Sequence, residues 1–105
     1  MKLPDKVMIV GCEYSVSYEE TPSDVDIRKC DSLWGQIDYW TRSIRVFKRD
    51  RANRDIFETL MHEILHGVVS RLKLKALDDN EDCIQLLAVG LTDVLCDNHF
   101  IELEG

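Results

Sequence analysis

Three residues in the stretch TLMHEILHGV (Thr59–Val68) are of types that hold a metal and activate water: His62, Glu63 and His66, spaced as H-E-x-x-H. On a helix, residues four apart project from one face, one turn apart. Two imidazoles so placed can bind one Zn²⁺ with nitrogens about 2.0–2.1 Å from the metal. Glu63 follows about 100° further round the helix. From there its carboxylate reaches a metal-held water as general base without being a ligand itself. The intervening Ile64 and Leu65 are apolar, and the flanking Thr59, Leu60, Gly67 and Val68 carry no charge. Three polar groups in so apolar a helix are costly unless something partners them. The plainer reading makes the histidines core residues bonded to backbone and leaves Glu63 exposed; it leaves those polar groups without a reason to be there.

A catalytic zinc site takes three protein ligands and keeps one position open. The longer pattern H-E-x-x-H-x-x-G-x-x-H is excluded, because Val69 and Leu72 stand at its glycine and last histidine. Glu81, at the start of the next helical stretch, is the expected third ligand, reached by the turn KLKALDDN. As a first-turn acid it would otherwise serve only the helix dipole. Asp78, Asp79, Asp82 and His99 compete for the position, and His99 would make a three-histidine site. Glu58, one turn before His62, is a candidate to orient that imidazole. Tyr39 and His99 are candidates to stabilise an oxyanion. The basic residues Arg42, Arg45, Lys48, Arg49, Arg51 and Arg54 read as a solvated charge run.

The elements that must position these groups follow from periodicity. Apolar residues recur at helical spacing from Asn53 to Leu72, which predicts a central, largely buried helix. Asn80 is a plausible N-cap for a second helix over Glu81–Asp97, with Ile84, Ala88, Leu91 and Leu95 as the stripe facing the first. Lys6–Val10 and Tyr14–Tyr18 read as strands, and Gly35–Trp40 with Ser43–Phe47 as a hairpin. Glu19–Ser32 reads as a loop with one helical turn near Asp24–Lys29, and the last residues as a tail or short strand. The expected architecture is α+β: a short antiparallel sheet, then the H-E-x-x-H helix, then a glutamate helix, in one domain over 1–105.

The composition bounds the partners. A formal net charge of −7 argues against nucleic acid and against an anionic membrane surface. No apolar run approaches the roughly 18 residues of a membrane span, and no signal-peptide core is visible, so a cytoplasmic location is expected. Cys12, Cys30, Cys83 and Cys96 are scattered, which disfavours a four-cysteine zinc site or a redox pair.

TLMHEILHGV followed by Asn80-Glu81-Asp82 resembles the gluzincin group of zinc metallopeptidases, in particular its smallest members. It is also similar to the short zincin-like proteins of phages and mobile elements, near the ImmA/IrrE-type repressor-cleaving peptidases. The resemblance spans roughly Leu33 to Asn98. It implies zinc ligands at His62, His66 and Glu81, with Glu63 as base and proton shuttle. It implies a peptide or protein substrate lying along the hairpin by strand addition. Gln85 stands four residues after Glu81, where such proteins often carry a carboxylate. The function expected is hydrolysis of peptide bonds. The alternative is a zincin-fold regulatory protein that keeps zinc and turns over little or nothing.

Overall fold

The computed structural model describes residues 2–28 and 33–104. Strand β1 (Lys6–Ile9) pairs antiparallel with β2 (Cys12–Glu19) through the two-residue turn Val10-Gly11. Both turn residues have positive φ, 45° and 81°, as a type I′ hairpin turn requires. After β2 the chain crosses the end of the sheet, forming a single helical turn, α1 (Pro22–Val25). That turn lies slightly earlier than the sequence suggests, set by Pro22 at its start. Asp26, at 3% exposure, fastens this crossing: its Oδ1 accepts from Gln36 Nε2 at 3.0 Å and from the Arg28 N–H at 3.1 Å. The Cys30 region and the end of the expected helical turn lie outside the described residues.

Strands β3 (Gly35–Asp38) and β4 (Ser43–Phe47) form the expected hairpin. The sheet order is β1-β2-β4-β3, and β2 pairs with β4 in parallel. The sheet is therefore mixed, where the sequence suggested an antiparallel one. Hairpins are local and legible, whereas a parallel pair needs a crossover whose destination no local pattern specifies. This pairing leaves β3 as one of the two edge strands.

Helix α2 (Asn53–Leu72) lies across the sheet, and α3 (Glu81–Asp97) packs back along it. Ile9, Tyr14, Val16, Ile44, Val46, Ile56, Phe57 and Leu60 form the core between α2 and the sheet. Gly67 lets the helix settle close, since a Cβ there would lie 3.0 Å from Ile9 Cδ1 and 3.1 Å from Ile37 Cδ1. Lys73 ends α2 in the left-handed region, with φ 55°. Asn80 opens α3, its side chain accepting from the Cys83 N–H at 3.1 Å. The described residues after Asp97 form a tail without a strand, and Ile101 and Leu103 pack against the core. Among the described residues no helix is long and apolar enough to cross a membrane.

Helix α3 is rolled relative to the expected stripe. Ile84, Ala88 and Thr92 are buried, while Leu91 stays 40% exposed. Thr92 is fully buried and its hydroxyl finds no partner among the described residues. Thr92→Val keeps the shape and removes the orphaned oxygen. It is expected to raise the unfolding free energy by about 1 kcal/mol, seen as a higher urea midpoint at unchanged slope.

Candidate metal centre

Helix α2 presents His62 and His66 on one face, and the N-cap at Asn80 fixes Glu81 as the first residue of α3 directly opposite. The three side chains converge. His62 Nε2 lies 2.5 Å from Glu81 Oε1, His66 Nε2 lies 2.9 Å from Glu81 Oε2, and the two imidazole nitrogens are 3.1 Å apart. Among the described residues these are the His, Cys, Asp or Glu side chains grouped closely enough to hold a metal ion.

The donor set fits zinc. Two imidazole nitrogens and a carboxylate oxygen are the ligand types of an open catalytic zinc site, whose tetrahedral bond lengths place donors about 3.3 Å apart. The separations here are tighter by less than about 1 Å, a difference that small side-chain rotations recover. The surroundings of His62 support the same fit. Its Nδ1 lies 2.6 Å from Gln85 Oε1, and Gln85 Nε2 donates to Glu58 Oε1 at 3.0 Å. An ionised carboxylate only accepts, so Glu58 turns the amide nitrogen toward itself and the amide oxygen toward His62. That oxygen accepts from Nδ1–H and so turns Nε2 toward Glu81 and His66. With oxygen acceptors at both ring nitrogens, His62 needs positive charge at Nε2, which a second ring proton or a metal ion would each supply.

Glu58 thus does not touch His62 itself; it acts through Gln85, a residue the sequence marked only as a departure from the resemblance. Gln85→Leu is expected to weaken zinc binding about 10–100-fold, measured by competition against a chromophoric chelator. Gln85→Glu, which still accepts from Nδ1, is expected to retain most of the affinity.

Glu63 sits beside the triad, 8% exposed, beneath β3. Burial pushes its carboxyl above the usual value; the neighbouring His62 and His66 and a bond from the Ile37 N–H oppose that shift. Burial also pushes Glu81 upward, but its hydrogen bonds with His66 and His62 prevail and hold it below the usual value. Gly35 permits the close approach of β3 to Glu63. A Cβ there would lie 2.8 Å from Thr59 Cγ2 and 3.1 Å from Glu63 Oε2. The sequence offered no signal for this role beyond a glycine at a strand start. Gly35→Val is expected to lift β3 from α2 and to cost about 1–3 kcal/mol of stability by overpacking, read from urea denaturation.

A cavity of about 400 Å³ opens over these groups, lined by Trp34, Arg51, Glu58, His62, Glu63 and Glu81 among others. Arg51 is not part of a solvated charge run. Its guanidinium lies 4.3 Å from the Trp34 ring centroid and bonds Phe47 O, Asp55 O and Thr59 Oγ1. The edge of β3 bounds this cavity. The Phe47 N–H donates to Trp34 O, so by antiparallel alternation the backbone groups of Gly35 and Ile37 turn toward the open edge.

Two candidates stand apart from the triad. His99 Nδ1 pairs with Glu102 Oε1 at 2.7 Å, and both line a separate cavity with Asn53 and Arg54. The Tyr39 hydroxyl is bonded to the His66 backbone oxygen at 3.2 Å rather than aimed at the donor atoms. Asp78, Asp79 and Asp82 are not in the metal-ligating group. Comparison with protein-family models, with curated proteins and with solved structures gives no match for this chain.

Proposed function

We propose that the protein is a zinc-dependent metallopeptidase of gluzincin type, with His62, His66 and Glu81 as ligands and Glu63 as general base. The observation that carries this reading is the convergence of two helical imidazoles and a carboxylate from the next helix beside a buried, non-ligating glutamate. Zinc bound there would supply a Lewis acid for the peptide carbonyl and lower the pKa of a coordinated water. The chain's own residues supply the rest. Gln85 and Glu58 fix the ring of His62. Glu63 takes a proton from the attacking water and returns it to the leaving amine, a task suited to a carboxyl whose pKa burial has raised above its usual value. The open edge of β3 offers the Gly35 backbone and the Ile37 carbonyl to an extended peptide, while the Ile37 N–H is held by Glu63, so substrate lies alongside Glu63 as an added strand.

A second reading, a zinc-binding regulatory protein with little turnover, is favoured by one observation. The two candidates for an oxyanion role are engaged elsewhere, Tyr39 with the His66 carbonyl and His99 with Glu102. Against it, the described group has three ligands and not the four of a closed structural site. The test is zinc stoichiometry together with cleavage of a mixed peptide library by the zinc-loaded chain. One zinc per chain with cleavage supports the peptidase. One zinc without cleavage of any peptide supports the regulatory protein, and no zinc after reconstitution overturns both.

A further inference from the structure

We infer that a second concavity, between the end of the sheet and the C-terminal half of α2, binds a carboxylate of the peptide ligand; the peptide nature of that ligand rests on the proposed function. The concavity has a volume of about 250 Å³ and is lined by Tyr14, Tyr39, Arg42, Ser70, Arg71 and Lys73 among others. Three cations gathered around one hollow are unexpected in a chain of net charge −7. Other basic side chains near the sheet are committed. Lys48 pairs with Glu20, Arg54 with Asp93 and Asp97, and Arg45 bonds the Asp24 carbonyl. Among the described residues no carboxylate pairs with Arg42, Arg71 or Lys73.

The helix dipole accounts for part of this, since Arg71 and Lys73 stand at the C-terminal end of α2. It does not account for Arg42. That residue comes from the β3–β4 turn, held at φ 53°, and meets the other two across the gap. The Tyr14 hydroxyl adds a neutral group able to donate to an anion. The acids whose fields reach Tyr39, namely Glu63 and Asp78, do not line the hollow.

The position relative to the metal centre gives the hollow its role. Tyr39 is a shared wall, lining the hollow while its hydroxyl bonds the carbonyl of His66. Strand β3 passes over Glu63 at Gly35 and over Gly67 at Ile37, so its course leads from the metal centre toward Tyr39. At about 3.3 Å per residue, an extended peptide on this edge covers the stretch from Gly35 to Tyr39 in about four residues. An acidic side chain, or a chain-terminal carboxylate, about that far from the reacting carbonyl would reach the three cations. The hollow would thereby set register and specificity at a distance from the chemistry.

The test uses the zinc-loaded full chain carrying Glu63→Gln and fluorescent octapeptide pools. One pair of pools differs only in Asp or Asn at a single position, scanned along the peptide. A second pair differs only in a free or amidated C-terminus, which separates the two sources of carboxylate. Anisotropy is expected to show about fivefold tighter binding for the carboxylate member of one pair, fading as salt is raised. Adding Arg42→Gln, Arg71→Gln and Lys73→Gln is expected to remove the preference while circular dichroism and zinc content stay unchanged. Equal affinity within both pairs, a preference that survives the triple change, or no binding by any pool overturns the inference. The peptidase reading is judged separately, on zinc content and cleavage by the unmodified chain.

Discussion

Glu63→Gln is expected to leave one zinc bound per chain and to reduce peptide cleavage about 10²–10⁴-fold. The two halves of this outcome have different causes. Metal binding survives because Glu63 is not one of the converging donors, which are His62, His66 and Glu81. Turnover falls because the amide of glutamine cannot take a proton from water, although it occupies the same space. Glutamine also removes the electrostatic strain of a carboxylate in a site that is 8% exposed, so the variant should be no less stable than the parent. The measurement is zinc content by mass spectrometry beside the cleavage rate of the best library peptide. Loss of zinc in this variant would show that Glu63 is a ligand and that the geometric assignment of roles is mistaken. Undiminished turnover would remove it as the base.

His62→Ala should have the larger effect on the metal. It removes a donor atom and also disconnects the Gln85–Glu58 chain, leaving the Gln85 oxygen without its partner. Zinc affinity is expected to fall by more than the roughly 100-fold that follows loss of an outer hydrogen-bond partner. The stabilisation that zinc confers on the folded chain should vanish with it, since a ligand at 100 times its Kd contributes about 2.7 kcal/mol. Thermal unfolding with and without zinc reads this directly: the parent shifts and the variant does not. Asp82→Asn is the control. It changes an acid in the same helical turn as Glu81 that does not join the donor group, so it should keep both zinc and the shift. A parent chain that melts identically with and without zinc would contradict the assignment.

Much of the site was readable because its signals are local. The spacing of His62 and His66 and the buried period of α2 come from one short segment, and helix geometry does the rest. Asn80 capping α3 with Glu81 as the next residue is equally local. Gln85 and Gly35 were harder. A glutamine on a polar helix face carries no mark of function until Glu58 is known to stand beside it, and a glycine at a strand start marks no close approach until Thr59 and Glu63 are known to lie beneath. His99 misled for the same reason in reverse: a histidine has the right chemistry anywhere, and only the course of the tail sets it beside Glu102.

The sequence by itself determined the two long helices, the β3–β4 hairpin and the candidate His62–His66–Glu81 group, since each follows from periodicity, capping or spacing within a few residues. Tertiary structure alone decided two things. The parallel pairing of β2 with β4 put β3 at the edge, because the pairing of strands distant in sequence depends on a crossover and not on either strand's own pattern. The roll of α3 was the other. At 100° per residue, Glu81, Gln85, Ala88 and Thr92 fall within about 60° of one another on the helix wheel. Turning that face to α2 brings Glu81 and Gln85 onto His62, buries the unpaired Thr92 hydroxyl and leaves Leu87, Leu91 and Val94 at least 40% exposed. Apolar burial alone would favour Leu91 facing inward, at about 25 cal/mol per Å². The observed roll instead satisfies charge-assisted hydrogen bonds to His62 and His66, and such long-range polar matching is invisible to a one-dimensional hydrophobic pattern.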